Sequence, residues 1–332
     1  MARPSSFRLP LLATALLAAS CAPKPPAQPT PTPQAKPAAP AKPYLDQAFW
    51  SHWGDGQAEI STYDLTYPRY GSPRAGVAVA IFVTEPFSNE ARVKADPGKH
   101  APSDVFPVMK LNLVQDFPTG IYDYNEQSSS FLALASLPEQ PGGHLAKVSF
   151  SSQEWCGHSW AQWLRKADGL HYSGHSYFDG EADRAAILAA PTGGIAEEQL
   201  WFWARGMAEP RLEPGGNVTL PFRRSLQHER HSHREAAWSR ARFTREAKQT
   251  RVTVPAGTFS AETWRAEEQD GTTFTFLVEA TAPHRILEWR SSEGERGVLI
   301  KSDRLKYWQM NKPGAEASLS RLGLRQRTPR TP

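Results

Sequence analysis

From Ala58 to Ser302 the chain is a succession of short segments with strand periodicity, each bounded by Gly, Pro, Asn or Asp. Strand-like runs recurring roughly every 8–12 residues confine a chain to an antiparallel sheet, sandwich or barrel. Ala58–Tyr67 alternates between the turns Gly54-Asp55-Gly56 and Pro68 to Pro73. Gly76–Thr84 (GVAVAIFVT) is apolar on both faces, which suits a central strand. Phe106–Asp116, Gly120–Asn125, Leu145–Ser152 and Gly169–Phe178 continue the series. After residue 210 it resumes with Val218–Phe222, Trp238–Thr244 and Arg251–Val254. A closing meander follows: Glu262–Glu268, Thr272–Val278, Arg285–Arg290 and Arg296–Ser302, with Asp270-Gly271 as a hairpin signal. One segment breaks the pattern. Ile195–Met207 places Leu200, Trp203, Ala204 and Met207 at helical spacing, with Glu197 and Glu198 in the first turn, where they suit the helix dipole. Trp201 and Phe202 lie off that stripe, so the helix is expected to be covered on more than one side. The expected fold is mainly β: a large curved antiparallel sheet or half-open barrel with one central helix, in one body or in two lobes divided near 190–210.

Charge narrows the class of partner. The net charge of +4 suggests an anion binder, but its distribution says otherwise. Residues 1–43 carry +5 with no acid, residues 315–332 carry +3, and the body 44–314 is therefore −4. A mildly acidic body argues against a nucleic-acid surface. Eleven Trp residues also argue against a disordered chain, because they can bury enough apolar area to offset ordering entropy.

The N-terminus reads as an export signal. Arg3 and Arg8 precede the apolar stretch Leu9–Ala19, which is too short to cross a bilayer ~30 Å thick as a helix. Leu17-Ala18-Ala19-Ser20-Cys21 resembles a bacterial lipobox, with Ala18 where a larger aliphatic is usual. The resemblance implies cleavage before Cys21, acylation of its thiol and amine, and, with Ala22 next, an outer-membrane anchor facing the periplasm. Nine of the residues 22–43 are proline, giving a polyproline-type spacer. The expected organisation is signal 1–20, lipidated cysteine and tether 21–43, a β-rich region 44–190, a helix with meander 191–312, and a frayed tail 313–332. With Cys21 lipidated, Cys156 has no disulfide partner within the chain.

Val254-Pro255-Ala256-Gly257-Thr258-Phe259, followed by alternating strands and by Pro283-His284-Arg285-Ile286-Leu287-Glu288, resembles a group of uncharacterised bacterial envelope lipoproteins. These carry a PAGTF turn before a meander and look like the half-open β-barrels of the lipoprotein-carrier superfamily. The resemblance covers about residues 236–305 and implies a concave apolar sheet with a binding role. Strings in the first half, such as Phe49-Trp50-Ser51-His52-Trp53 and Glu154-Trp155-Cys156-Gly157-His158, look like bacterial lipoproteins whose names sometimes invoke the septum-formation (Maf) nucleotide pyrophosphatases. Those enzymes are α/β proteins with a phosphate loop after the first strand. Here only Ser72-Pro73-Arg74 resembles that loop, between β-rich segments, so that activity is not expected.

Candidate chemistry is sparse. On a strand, Cys156, His158 and Glu154 would share a face, with ~7 Å between alternate residues, as a thiol enzyme would need; a packed cysteine is the commoner outcome. His228, His231 and His233 have metal-ligand spacing if they form a loop, though a solvated polar turn is the simpler reading. His171 and His175 fall on one strand face but ~13 Å apart, too far to share an ion. Asp116 and Asp123, near Lys110 and Asn112, could face each other across a hairpin as an acid–base pair if burial split their pKa values; carboxylates that satisfy turn amides or pair with Lys and Arg are the commoner outcome. No phosphate-cradling loop, Gly-x-Ser-x-Gly elbow or His-Glu-x-x-His motif occurs. The expectation is a non-catalytic, lipid-anchored envelope protein that needs no cofactor and binds an apolar or amphipathic ligand, or an envelope protein, on a concave sheet. Its expected lining is Phe274, Phe276, Leu287 and Trp289. The alternatives are an envelope hydrolase or thiol enzyme at Cys156, and a structural lipoprotein whose sheet is filled by its own side chains.

Overall fold

The computed structural model describes residues 42–43, 45–137 and 140–326; Cys21, the export segment and the tether up to Ala41 lie outside them. The first half supplies strands β1 (Lys42–Pro43), β2 (Ala58–Arg69), β3 (Ser72–Ser88), β4 (Val105–Thr119), β5 (Tyr122–Ala133), β6 (Ala135–Ser136), β7 (Leu145–Glu154), β8 (Gly157–Lys166) and β9 (Gly169–Ser176). The second supplies β10 (Arg184–Leu188), β11 (Ile195–Ala196), β12 (Asn217–Arg223), β13 (Trp238–Arg245), β14 (Thr250–Val254), β15 (Gly257–Glu268), β16 (Thr273–Glu279), β17 (Ile286–Ser291) and β18 (Arg296–Leu305). Three short helices accompany them: α1 (Gln47–Trp53), α2 (Leu200–Trp203) and α3 (Leu226–Ser232). β1 and β6 form a small ladder of their own.

The other sixteen strands make a single sheet ordered β10-β9-β8-β7-β5-β4-β3-β2-β18-β17-β16-β15-β13-β12-β11, with β14 beside β15. The mainly β expectation therefore holds, as one large open sheet. The pair β11–β12 is parallel, and this makes the sheet mixed. A division into lobes near 190–210 is not what forms. β18 returns to pair with β2 from Arg296↔Thr66 to Leu305↔Ala58, so both halves share one sheet, and the described residues fall within one compact unit.

The sheet must curl strongly. β10 and β11 end the strand order on opposite sides, yet only seven peptide steps separate Leu188 from Ile195. Such a connection spans at most ~25 Å. Contacts bridge the seam: Trp238 Nε1 donates to the Ala189 carbonyl at 2.8 Å, and Arg184 pairs with Glu235 at 2.6 Å.

Alternation places the core on the concave face. On β4, Leu111, Leu113, Gln115 and Phe117 are buried, while Asn112, Val114 and Asp116 between them are less so. Tyr67, Phe117 and Tyr124 stack in a row across β2, β4 and β5, with centroids 4.6 and 5.1 Å apart. Gly76 on β3 permits this: a Cβ there would meet the Phe117 Cβ at 2.8 Å and the Asp116 carbonyl oxygen at 2.3 Å. The absent side chain lets the rings close over the intervening strand.

The central helix is shorter than the sequence suggests. Ile195-Ala196 is taken by β12 as an edge strand, Glu197–Gln199 makes a 3-10 turn, and α2 holds four residues. All four are buried, so the expectation of covering on several sides holds. Two further helices form, at Gln47–Trp53 and Leu226–Ser232. α1 is capped by Asp46, whose carboxylate accepts from Phe49 N at 2.9 Å, and α3 by Ser225, whose hydroxyl accepts from His228 N at 3.1 Å. The C-terminal segment is also a correction. Ala315–Leu322 forms a 3-10 helix, and Leu322 packs on Ile60, Val83 and Leu305 on the convex face. The hydroxyl of Thr62 donates to the Leu322 carbonyl at 2.6 Å.

Candidate functional site

The concave face is occupied. Trp201 of α2 lies 5.8 Å from Phe276 and 4.7 Å from Trp289, ring centre to ring centre, and Trp203 lies 5.0 Å from Trp264. Beside this apolar plug the sheet carries a row of inward polar residues. The register sets Gln115 of β4 against Glu126 of β5, Glu126 against Ser152 of β7, and Ser152 against Ser159 of β8. Buried polar groups need partners, and α3 supplies them. Gln227 donates to Glu126 at 2.7 Å and to Gln115 at 2.9 Å, and Arg230 donates to the Ser159 hydroxyl at 2.9 Å. His231 Nε2 lies 2.7 Å from Glu126 Oε1, and its Nδ1 lies 2.7 Å from the Tyr67 hydroxyl. Burial pushes the Glu126 carboxyl up, but His231 and the hydrogen bonds from His231, Gln227 and Ser152 outweigh it and leave it below the usual range. The Tyr67 hydroxyl is driven well above its ordinary value by burial and by Glu126, Glu295 and Glu197. Tyr67 thus stays a neutral hydrogen-bonding group rather than a base.

Between α2, α3 and the sheet lies a chamber in two parts. The inner part, ≈ 50 Å³, is bounded by Glu197, Glu198, Glu295, Trp201, Trp289 and Phe276 among others. The outer part, ≈ 270 Å³, adds Tyr67, Arg69, Tyr70, Arg224, His228 and His231. Glu197, Ser225, Gln227, Phe274, Ser291 and Glu295 border both. Glu197 is fully engaged: Arg224 Nε donates to it at 2.7 Å, as do the Ser225 amide and hydroxyl, each at 3.1 Å. Glu198 and Glu295 lack such a cation. Burial lifts each to about 7, only partly offset by the Leu226 amide for Glu198 and the Trp289 indole for Glu295.

A second, larger cleft of ≈ 730 Å³ opens at the end of the sheet, where the described body begins. α1 forms one wall, with Ala48, Phe49, His52 and Trp53, and Met207, Trp264 and Val278 lie across from it. Two charge pairs lie beside it. Arg205 binds Glu59 at 2.8 and 3.0 Å and stacks on Phe82, and Arg245 binds Glu262 at 2.9 and 3.0 Å. The cleft thus offers apolar walls beside two paired charges.

The residues expected from sequence scatter over the molecule. Phe274, Phe276 and Trp289 are buried beside the inner chamber, with Trp201 against the last two. Leu287 is wholly buried at a register shift between β16 and β17 and is not on the chamber wall. Cys156 sits exposed in the β7–β8 turn, so Glu154, Cys156 and His158 do not share a strand face, and Glu154 is opposite Gly157. Glu154 accepts from the Cys156 amide, and its hydrogen bond and charge raise the thiol's pKa, the reverse of thiolate activation. The three histidines of the HERHSH string are on α3 or its C-cap rather than in a loop. His231 is committed to Tyr67 and Glu126, and His233 to Glu181. Among the described residues no group of three or more His, Cys, Asp or Glu is placed to hold a metal. His171 and His175 bond separately, to Asp168 and Asp183. Asp116 faces Asn125, which donates to it at 2.5 Å, while Asp123 is opposite Pro118, so no carboxylate pair forms. Lys110 donates to Glu85 at 2.6 Å.

The polar row and the chamber were not singled out in the sequence. A signal existed: Gln115 falls on the same strand parity as Leu111, Leu113 and Phe117, where an apolar residue belongs.

No family model matches the chain, and no curated protein does. Among solved structures it is similar to a β-barrel-like protein of the domain of unknown function DUF1849 from Brucella abortus. The identity is 11%, the TM-score 0.42, and the match covers 74% of this chain and 97% of that one.

Proposed function

We propose that this is a lipid-anchored envelope protein without catalytic activity, held at the outer membrane through Cys21 and facing the periplasm, which binds an amphipathic ligand of lipid class in the end cleft. The observation that carries the reading is the ≈ 730 Å³ cleft with aromatic and aliphatic walls. Cavities of a few hundred Å³, mostly apolar with a few placed polar groups, are the usual form of a small-molecule site. The lipobox and the proline tether in the sequence support the location. The plug on the concave face moves the expected site from mid-sheet to the sheet's end.

The full chain, solubilised from an envelope fraction and extracted for mass spectrometry, is expected to yield a co-purified amphiphile beyond its own anchor, and residues 39–332 to take up a fluorescent fatty acid. Ala48→Trp, on the exposed face of α1 at the cleft, is expected to cut that uptake ~tenfold with the fold retained, a loss of ~1.4 kcal/mol. A protein that carries no lipid and takes up no probe would end this reading.

A further inference from the structure

The inner chamber holds more carboxyl groups than the protein satisfies. Three glutamates border it, Glu197, Glu198 and Glu295. Arg224 neutralises the first. Arg290, the basic residue on that wall, instead pairs with Glu288 at 3.0 Å and is 52% exposed. Glu198 is 7% exposed. Its Oε1 accepts from the Leu226 amide at 2.9 Å, whereas Oε2 is buried without a hydrogen-bond partner among the described residues. An orphaned buried oxygen costs about 1–3 kcal/mol, so a group that satisfies it gains binding energy at that point. Glu295 receives both the Gln115 amide, at 2.9 Å, and the Trp289 indole, at 3.1 Å, on one oxygen, Oε1. Around these carboxyls lie the rings of Trp201, Trp289 and Phe276. Carboxylates as acceptors beside aromatic rings suit an organic cation, which gains from both charge pairing and ring quadrupoles. The dimensions agree: the inner part accepts a small head, and the outer part accommodates what is attached to it.

We propose that the inner chamber is a binding site for a primary alkylammonium ion, with N–H groups donating to Glu198 Oε2 and to the Glu295 carboxyl and the adjoining carbons on Trp201 and Trp289. This site is separate from the end cleft and does not depend on it. The neighbouring titratable and charged groups are Glu197, Arg223, Glu126 and Arg290, with Tyr67, Arg69, Tyr70, Arg224, His228, His231 and Glu293 on the outer side. Both carboxyls are lifted to about 7 in the empty chamber. Binding a cation below that pH must therefore expel a proton.

The test is calorimetric titration of the purified chain with n-butylammonium chloride, against n-butanol and tetramethylammonium chloride as controls. Butylammonium is expected to bind, n-butanol to give no heat, and tetramethylammonium, which has no N–H, to bind at least ~tenfold more weakly. Affinity for butylammonium is expected to drop ~tenfold from pH 8 to pH 6. Glu198→Gln and Glu295→Gln should each weaken it at least ~tenfold with an unchanged circular dichroism spectrum, and Glu267→Gln, at an exposed position of β15, should not. Absence of binding, equal binding of butanol or tetramethylammonium, or indifference to the two glutamine variants would overturn the proposal. If either variant misfolds, the wild-type pH dependence and the two control ligands decide it.

Discussion

Glu198 and Glu295 are each lifted to about 7 by burial, and this makes the stability of the folded body pH-dependent at the level of single residues. At pH 6 the folded chain keeps protons on these carboxyls that the unfolded chain has already released. Stability therefore falls as pH rises from ~4.5 towards 7, by about 3 kcal/mol per residue at most. His144 opposes this. Burial and Arg165 lower it to about 4, so the unfolded chain binds a proton that the folded chain refuses, and stability falls as pH drops through the same window. Urea titrations at pH 5 and pH 7 should show the double variant Glu198→Gln, Glu295→Gln losing less stability on going to pH 7 than the wild type. Identical differences for the two proteins would mean that neither carboxyl is held protonated. Such residues are hard to find from sequence. Two adjacent glutamates after a turn suit the first turn of a helix, and nothing local in the sequence marks Glu198 as buried. What changes their role is the arrival of Leu226 and Ser225, 28 residues later.

Among elements, the C-terminal 3-10 helix shows where sequence reading fails and why. Residues 315–324 (AEASLSRLGL) have too few apolar positions to specify a helix unaided. Order comes instead from the sheet: the exposed parity of β2, β3 and β18 presents Ile60, Val79, Ile81, Val83 and Leu305, and Leu322 covers them. Arg321 closes the contact on Asp303 at 2.7 Å. Truncation after residue 312 is expected to destabilise the body by about 1–3 kcal/mol, the scale of one buried aliphatic side chain, seen as a lower urea midpoint. A midpoint equal to that of the full chain would return this segment to the status of a loose tail. The same physics explains α3, whose Gln, His, Glu and Arg residues make a weak helix by propensity. A Ser225 cap and a waiting polar row on the sheet determine it. Strands are easier to read, because alternation is local; β4 and the Asp270-Gly271 hairpin between β15 and β16 fall where periodicity puts them.

At the scale of the molecule the decisive contact is the pairing of β2 with β18, which lie more than 220 residues apart in the chain and whose partnership no local pattern announces. It is reinforced by side chains. The Tyr63 hydroxyl donates to the Ile286 carbonyl at 3.1 Å, and the Trp289 ring reaches Tyr63 at 4.6 Å across a glycine, Gly297, at which any Cβ would strike the indole at 1.9 Å. On the far side, Glu235 and Trp238 bridge to Arg184 and Ala189. Cutting the chain near residue 190 would expose a full-length edge on each fragment, β2 on one and β18 on the other, together with half of the concave core. Unpaired apolar edges aggregate rather than stand free. The body is therefore expected to unfold in one transition, with tryptophan fluorescence and far-ultraviolet circular dichroism coinciding, and fragments 39–190 and 191–332 are expected not to fold when produced separately. Two resolved transitions, or a soluble 191–332 fragment with native-like near-ultraviolet circular dichroism, would show that the meander is a domain in its own right and that the β2–β18 ladder only docks it. The chamber discriminates between these cases as well. Its wall takes Leu111 and Ser128 from the first half and Glu198, Phe276 and Glu295 from the second, so a fragment that folded alone would still lack a complete chamber and could not bind butylammonium.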